Sequence, residues 1–116
     1  MNFDLELFAL GVRARSDTWS ALRVAWQVKP VEPNHGKPVV AGTFESVAWL
    51  AEMTVWITGE AELAAGRLGD GWIVNKHYDL ASSDDLEVAL GELASLIAGG
   101  SVPSGAVTAW IAQQGQ

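Results

Sequence analysis

The sequence predicts an α+β domain, with an antiparallel β-sheet of four to six strands in meander order and one main C-terminal helix packed on one face. Three observations carry this. Three strand-like segments, Met53–Thr58, Glu60–Leu68 and Trp72–Leu80, follow one another with Gly59 and then Gly69-Asp70-Gly71 between them, the residue types that tight hairpin turns demand. Leu22, Val24, Trp26 and Val28 alternate with polar or small residues, a period of two. Finally, Leu86, Leu90, Leu93 and Ile97 form a stripe at helical spacing, with Ser82 or Ser83 able to cap it, Asp84 and Asp85 in its first turn, and Gly99-Gly100 to stop it.

Taken in order, Phe3, Leu5 and Leu7 alternate with Asp4 and Glu6, which predicts a strand over residues 2–12. The Leu22–Lys29 alternation predicts a strand over 22–29, while 16–21 is left open because Trp19, Leu22 and Trp26 also recur at helical spacing. Residues 29–38 hold Pro30, Pro33, Pro38 and an Asn34-His35-Gly36 turn, so they read as a surface loop. From Thr43 to Ala51, Phe44, Val47 and Ala51 fall on one helical stripe with Thr43 as N-cap, with a strand as the alternative. In the Trp72–Leu80 strand, Trp72, Val74 and Tyr78 share one face with Lys76, while Ile73, Asn75, His77 and Asp79 share a wetter one. The helix over 83–98 should lay its leucines on the sheet. Ala106–Ala112 is either a short docking helix or an edge strand.

The 116 residues suit a single domain, 1–116, with one core. Apolar residues make up 49% and charged ones 18%, the profile of a folded chain. There is no cysteine, so disulfides, thiolate chemistry and cysteine-based zinc sites are excluded. Carboxylates at Asp4 and Glu6 stand where a secretory signal would be basic, and no apolar run approaches the ~18 residues of a membrane span. A cytoplasmic protein with no membrane partner is expected.

The net charge of −7 is uneven: residues 1–37 sum to +1 and residues 38–116 to −8. The acidic part repels phosphate backbones, which argues against nucleic acid and for a basic protein partner. The alternative is that the charge serves only solubility.

No catalytic motif is complete. His77 and Asp79 lie at strand spacing and could meet Glu60 or Glu62 on the neighbouring strand, the makings of a hydrolase or metal site. However, two histidines with scattered carboxylates are a poor zinc set, and a solvated face with cross-strand charge pairs explains them as well. Ser82-Ser83-Asp84-Asp85 has no nucleophile elbow and reads as a helix cap. Gly66–Gly71 lacks the lysine and strand-to-helix context of a phosphate loop and reads as a hairpin turn. No cofactor and no metal is expected.

The composition is unusual in its six tryptophans, Trp19, Trp26, Trp49, Trp56, Trp72 and Trp110. A domain of this size has room to bury two or three fully, so others should reach the surface and could serve an interface; the alternative is that all six fill the core or its rim. Trp56 is the foremost candidate, because period two turns it outward if Val55 and Ile57 face the core.

Thr54–Leu63, followed by Asn75–Leu80 and Asp84–Glu87, resembles small bacterial immunity proteins that accompany polymorphic toxins. The resemblance covers roughly residues 52–98. It implies an acidic antiparallel meander with a following helix, acting by tight, occluding binding to a basic toxin surface. The expected function is therefore a non-enzymatic immunity or inhibitor protein, with Trp56, Glu60, Glu62, His77 and Asp79 as partner-binding residues. The alternatives are a homodimeric accessory or chaperone-like domain paired through tryptophan and, third, a small hydrolase or metal-dependent enzyme on the His77/Asp79 face.

Overall fold

The computed structural model describes residues 2–33 and 36–111. It holds a six-stranded, fully antiparallel sheet in the order β1-β2-β3-β4-β5-β6, with three helices. The strands are β1 (Ala25–Val28), β2 (Val39–Glu45), β3 (Trp49–Trp56), β4 (Glu60–Arg67), β5 (Trp72–Asp79) and β6 (Val107–Trp110). The helices are α1 (Glu6–Ala14), α2 (Ser16–Ala21) and α3 (Ser83–Gly99). The sheet does not close, so β1 and β6 are its edges.

The N-terminal segment is helical and not the strand that its alternation predicts. Asp4 turns the chain by accepting the Glu6 amide on its Oδ1 at 3.0 Å. From there Leu5, Phe8 and Val12 fall at helical spacing and are all buried, while Glu6 and Arg13 sit at the ends that the helix dipole favours. Three alternating residues are too short a pattern to outweigh a buried stripe spanning two turns. The open segment 16–21 is α2, anchored by Trp19, which is fully buried and donates its indole N–H to the Val12 carbonyl at 2.9 Å. Arg23, at φ 59, ends that helical turn, so β1 begins at Ala25 rather than at Leu22. Trp26 and Val28 point inward, as the alternation requires.

The described residues between 29 and 38 form a loop, with one isolated bridge from Glu32 to Val39. Asn34 and His35 of the predicted turn lie outside the described residues.

Of the two readings for 43–51, the strand holds and the helix does not: the segment forms the β2–β3 hairpin. Phe44 and Ala51, which a helix would stack on one stripe, are instead opposite one another in the antiparallel register. Val47, the middle of the supposed stripe, stands at the hairpin tip and is 95% exposed. Ser46 closes the turn: its Oγ accepts the Trp49 amide at 3.1 Å and its own amide reaches the Trp49 carbonyl at 2.9 Å. The tip of a four-residue hairpin brings residues seven apart face to face, and that spacing also fits two turns of helix.

The β4 and β5 strands match the sequence reading closely. Gly59, between β3 and β4, adopts φ 93, and a Cβ there would lie 2.4 Å from the Leu80 carbonyl oxygen, so only glycine fits. Gly71, at φ 75, ends the β4–β5 turn. In α3, Ser82 caps the Asp85 amide and Gly100 closes the C-terminus in the left-handed conformation, its amide bonded to Leu96 at 2.8 Å. Leu86, Leu90, Leu93 and Ile97 are buried, joined by Ala89 and Leu96. Each such leucine contributes roughly 1.5–3 kcal/mol. The last strand-like segment is an edge strand, β6, over Val107–Trp110; Ala112 lies outside the described residues.

All three helices supply the same core as the inward residues Val40, Phe44, Ala51, Met53, Val55, Ala61, Leu63, Ala65, Val74 and Tyr78 of the sheet. One face of the sheet is therefore covered by helix. The other is open.

Candidate functional site

The open face is built by strand register. On its middle row, Thr54, Glu62 and His77 lie side by side across β3, β4 and β5. On the next row Glu60 pairs with Asp79, and Trp56 ends β3 one residue beyond the Val55–Ala61 pair. Val55 is fully buried and Ile57 packs against the core, so Trp56 faces outward, half-buried. The five residues singled out in the sequence thus meet at one corner.

His77 sits between two carboxylates. Its Nδ1 is 3.2 Å from Glu62 Oε2 and its Nε2 is 3.0 Å from Asp79 Oδ1. Only the imidazolium can donate to both at once: the bond to Asp79 raises the His77 pKa above its ordinary 6.5, desolvation opposes that rise, and the bond to Glu62 adds to it. The ring and both carboxylates are exposed.

Two further residues belong to the corner. Lys37 reaches in from the loop before β2, with its Nζ 2.7 Å from Glu60 Oε1 and 5.9 Å from the centroid of the Trp56 ring. Thr58 donates its hydroxyl to the same Oε1 at 3.2 Å. The ion pair and hydrogen bond from Lys37 hold the Glu60 carboxyl below its usual range. Lys37, Trp56, Glu60, Glu62 and His77 line a shallow concavity of about 310 Å³. Sequence reasoning missed Lys37 because it assigned no strand to Val39–Glu45; once β2 is known, the Val39–Trp56 pairing places residue 37 beside Thr58.

The open face is acidic as a whole. It presents Glu45, Glu52, Glu60, Glu62 and Asp79, against which stand Lys37 and Lys29, the latter 3.9 Å from Glu52. Among the described residues no group of three or more His, Asp or Glu is placed to hold a metal ion. Among these residues, too, no helix is long and apolar enough to cross a membrane.

Two other polar clusters lie on the helix-covered face. Trp49, Arg67, Trp72 and Trp110 form one row across four adjacent strands. The guanidinium carbon of Arg67 is 4.7 Å from the Trp72 ring centroid, 5.9 Å from that of Trp110 and 6.0 Å from that of Trp49, and the fork grips Asp70 at 3.0 and 2.6 Å. Between β5 and α3, one oxygen of Glu92 accepts from Lys76 Nζ at 2.8 Å and from the Tyr78 hydroxyl at 2.7 Å. Of the six indoles, Trp19 and Trp49 are buried, Trp26, Trp56 and Trp72 are half-buried, and Trp110 is exposed.

The fold and the corner define an open antiparallel α+β domain with a polar, uncovered sheet face. Comparison with protein-family models, with curated proteins and with solved structures finds no match to this chain.

Proposed function

We propose that this chain is a non-enzymatic protein-binding domain whose partner is a basic protein, and that it acts as a cytoplasmic immunity or inhibitor protein that occludes a toxin or effector. The observation that carries the reading is the corner formed by Trp56, Glu60, Glu62, His77 and Asp79 on a sheet face that the helices leave uncovered. Carboxylates around an outward indole suit a partner rich in Lys and Arg: the charges steer the encounter and the indole supplies desolvated contact area. Against the three carboxylates Glu60, Glu62 and Asp79 stand Lys37 and, when protonated, His77, so the excess charge offered to a partner is negative.

Acid–base catalysis is less well supported by the same geometry. Both nitrogens of His77 are engaged by carboxylates, and the shallow concavity does not exclude water from them. A general base needs a free lone pair aimed at substrate.

The test is neutralisation. The product of the neighbouring reading frame is expressed with and without this chain, and then with Glu62→Lys and Asp79→Lys combined. Protection by the wild type, lost in the charge-reversed but folded variant, is the expected result. A neighbouring product that is harmless alone would remove the immunity reading, and full protection by the reversed variant would move binding to another face.

A further inference from the structure

The two edges of the sheet are unlike. β1 is flanked by Arg23, Lys29 and Pro30, the charged and proline residues that commonly keep an edge from pairing. β6 has no such guard. No charged side chain follows Glu92 in the chain, and the β5 residues paired with β6, Trp72 to Asn75, are uncharged too. All four residues of β6 are exposed, Val107 at 70% and Trp110 at 59%, and Ile111 just beyond it is 54% exposed. Leu50 and Leu68, also exposed, lie at the same end of the sheet, where Leu50, Leu68, Ile73 and Ile111 line a mostly apolar trough that Glu52 and Arg67 share.

The backbone of β6 is as instructive as its side chains. The Ile111 amide bonds to the Gly71 carbonyl at 3.0 Å, so in the antiparallel ladder residues 107, 109 and 111 direct their N–H and C=O toward β5. By alternation, Thr108 and Trp110 direct theirs away from the sheet, unpaired among the described residues. Two donors and two acceptors spaced this way are complementary to themselves under a two-fold axis perpendicular to the sheet through Ala109.

We propose that β6 pairs with β6 of a second copy of this chain, joining two sheets into one of twelve strands. Thr108 of each copy exchanges backbone hydrogen bonds with Trp110 of the other, four in all by the antiparallel rule. On the open face, Val107 then meets Ile111 of the second copy and Ala109 meets its own counterpart. The self-complementary backbone selects a second copy, and charge selects this end of it. Chains of net charge −7 repel wherever their carboxylates meet, and β6 is an edge where they do not. The contact lies outside the Trp56 corner and is independent of the function proposed for it.

The first measurement is sedimentation velocity on the wild type over a series from micromolar to sub-millimolar. A dimer is expected, with a dissociation constant on the order of micromolar, suited to a small interface. It should tighten with added salt, since salt screens the repulsion between copies. Thr108→Pro removes an N–H that the monomer's sheet does not use, so it should leave the circular dichroism intact and weaken association at least tenfold. Ala109→Cys gives an independent readout in a chain without native cysteine. Its Cα atoms would be about 4.5 Å apart across the axis, within the span of roughly 4.4–6.8 Å that a disulfide bridges. Oxidation should therefore cross-link Ala109→Cys far faster than Thr43→Cys on β2. A wild type that stays monomeric throughout, or equal cross-linking at the two cysteines, would overturn the proposal. So would a dimer that survives Thr108→Pro but is lost in Trp56→Ala.

Discussion

His77 Nε2 lies 3.0 Å from Oδ1 of Asp79, two residues along the same face of β5, while Glu62 on β4 approaches the other ring nitrogen at 3.2 Å. The folded pKa of His77 is raised above 6.5 by these bonds. Its contribution to stability is therefore complete below pH 6.5 and is lost as the pH rises through the higher folded value. Thermal midpoints of wild type and His77→Gln should differ most near pH 5.5 and converge above the folded pKa. A difference that grows with pH would contradict the bracket of carboxylates.

Glu60 titrates in the opposite sense. Its carboxyl is held below 4.5 by Lys37, so the stability it confers is present above pH 4.5 and is lost as the pH falls through the lowered folded value. Lys37→Met should raise the Glu60 pKa toward its ordinary value, as followed by carboxyl chemical shifts during acid titration. The pair is exposed, so the change in overall stability at neutral pH should be small.

Gly59→Ala places a Cβ 2.4 Å from the Leu80 carbonyl at a φ of 93. The left-handed backbone costs an L-residue about 1–2 kcal/mol, and relief of the contact with Leu80 adds to it. Urea denaturation should show a loss of at least about 2 kcal/mol, whereas Gly66→Ala, where a Cβ meets nothing within 4 Å, should be nearly neutral.

Arg67 stands among three indoles and is held by Asp70. Lysine keeps the charge but loses the planar stack and the two-pronged grip. Arg67→Lys is expected to cost about 1 kcal/mol and to change tryptophan emission, since Trp72 and Trp110 report directly on that guanidinium. An unchanged spectrum would place the side chain away from the rings.

Tyr78 is the only tyrosine in the chain, so its phenol can be titrated alone. Burial, together with the hydrogen bond to the Glu92 carboxylate, pushes it far above the ordinary 10.0. Phenolate absorbance should appear only as the protein unfolds in alkali, and together with the loss of circular dichroism. In Glu92→Gln it should appear earlier, and the variant should lose about 1–3 kcal/mol because Lys76 and Tyr78 both lose a charged acceptor.

What could be read from residue order alone was whatever is encoded within a few positions. The caps and leucine stripe of α3, the glycines of the last hairpins and the outward turn of Trp56 are of this kind, because helix period, strand period and positive φ are local properties. Glu62 beside His77 follows from the same local logic, since a tight β4–β5 turn leaves little freedom of register. Where two periods competed over a short stretch, residue order could not arbitrate. Phe3, Leu5 and Leu7 alternate like a strand, yet burying Leu5, Phe8 and Val12 together against α3 and the sheet favours the helix. Phe44, Val47 and Ala51 repeat like a helix, yet Phe44 and Ala51 are partners across a hairpin. Contacts distant in sequence decided the rest: Lys37 at Glu60, Arg67 among three tryptophans, and Glu92 shared by Lys76 and Tyr78. Each needs strands or helices to be set side by side first, and the burial of the whole apolar surface, not the preference of any one segment, selects that arrangement.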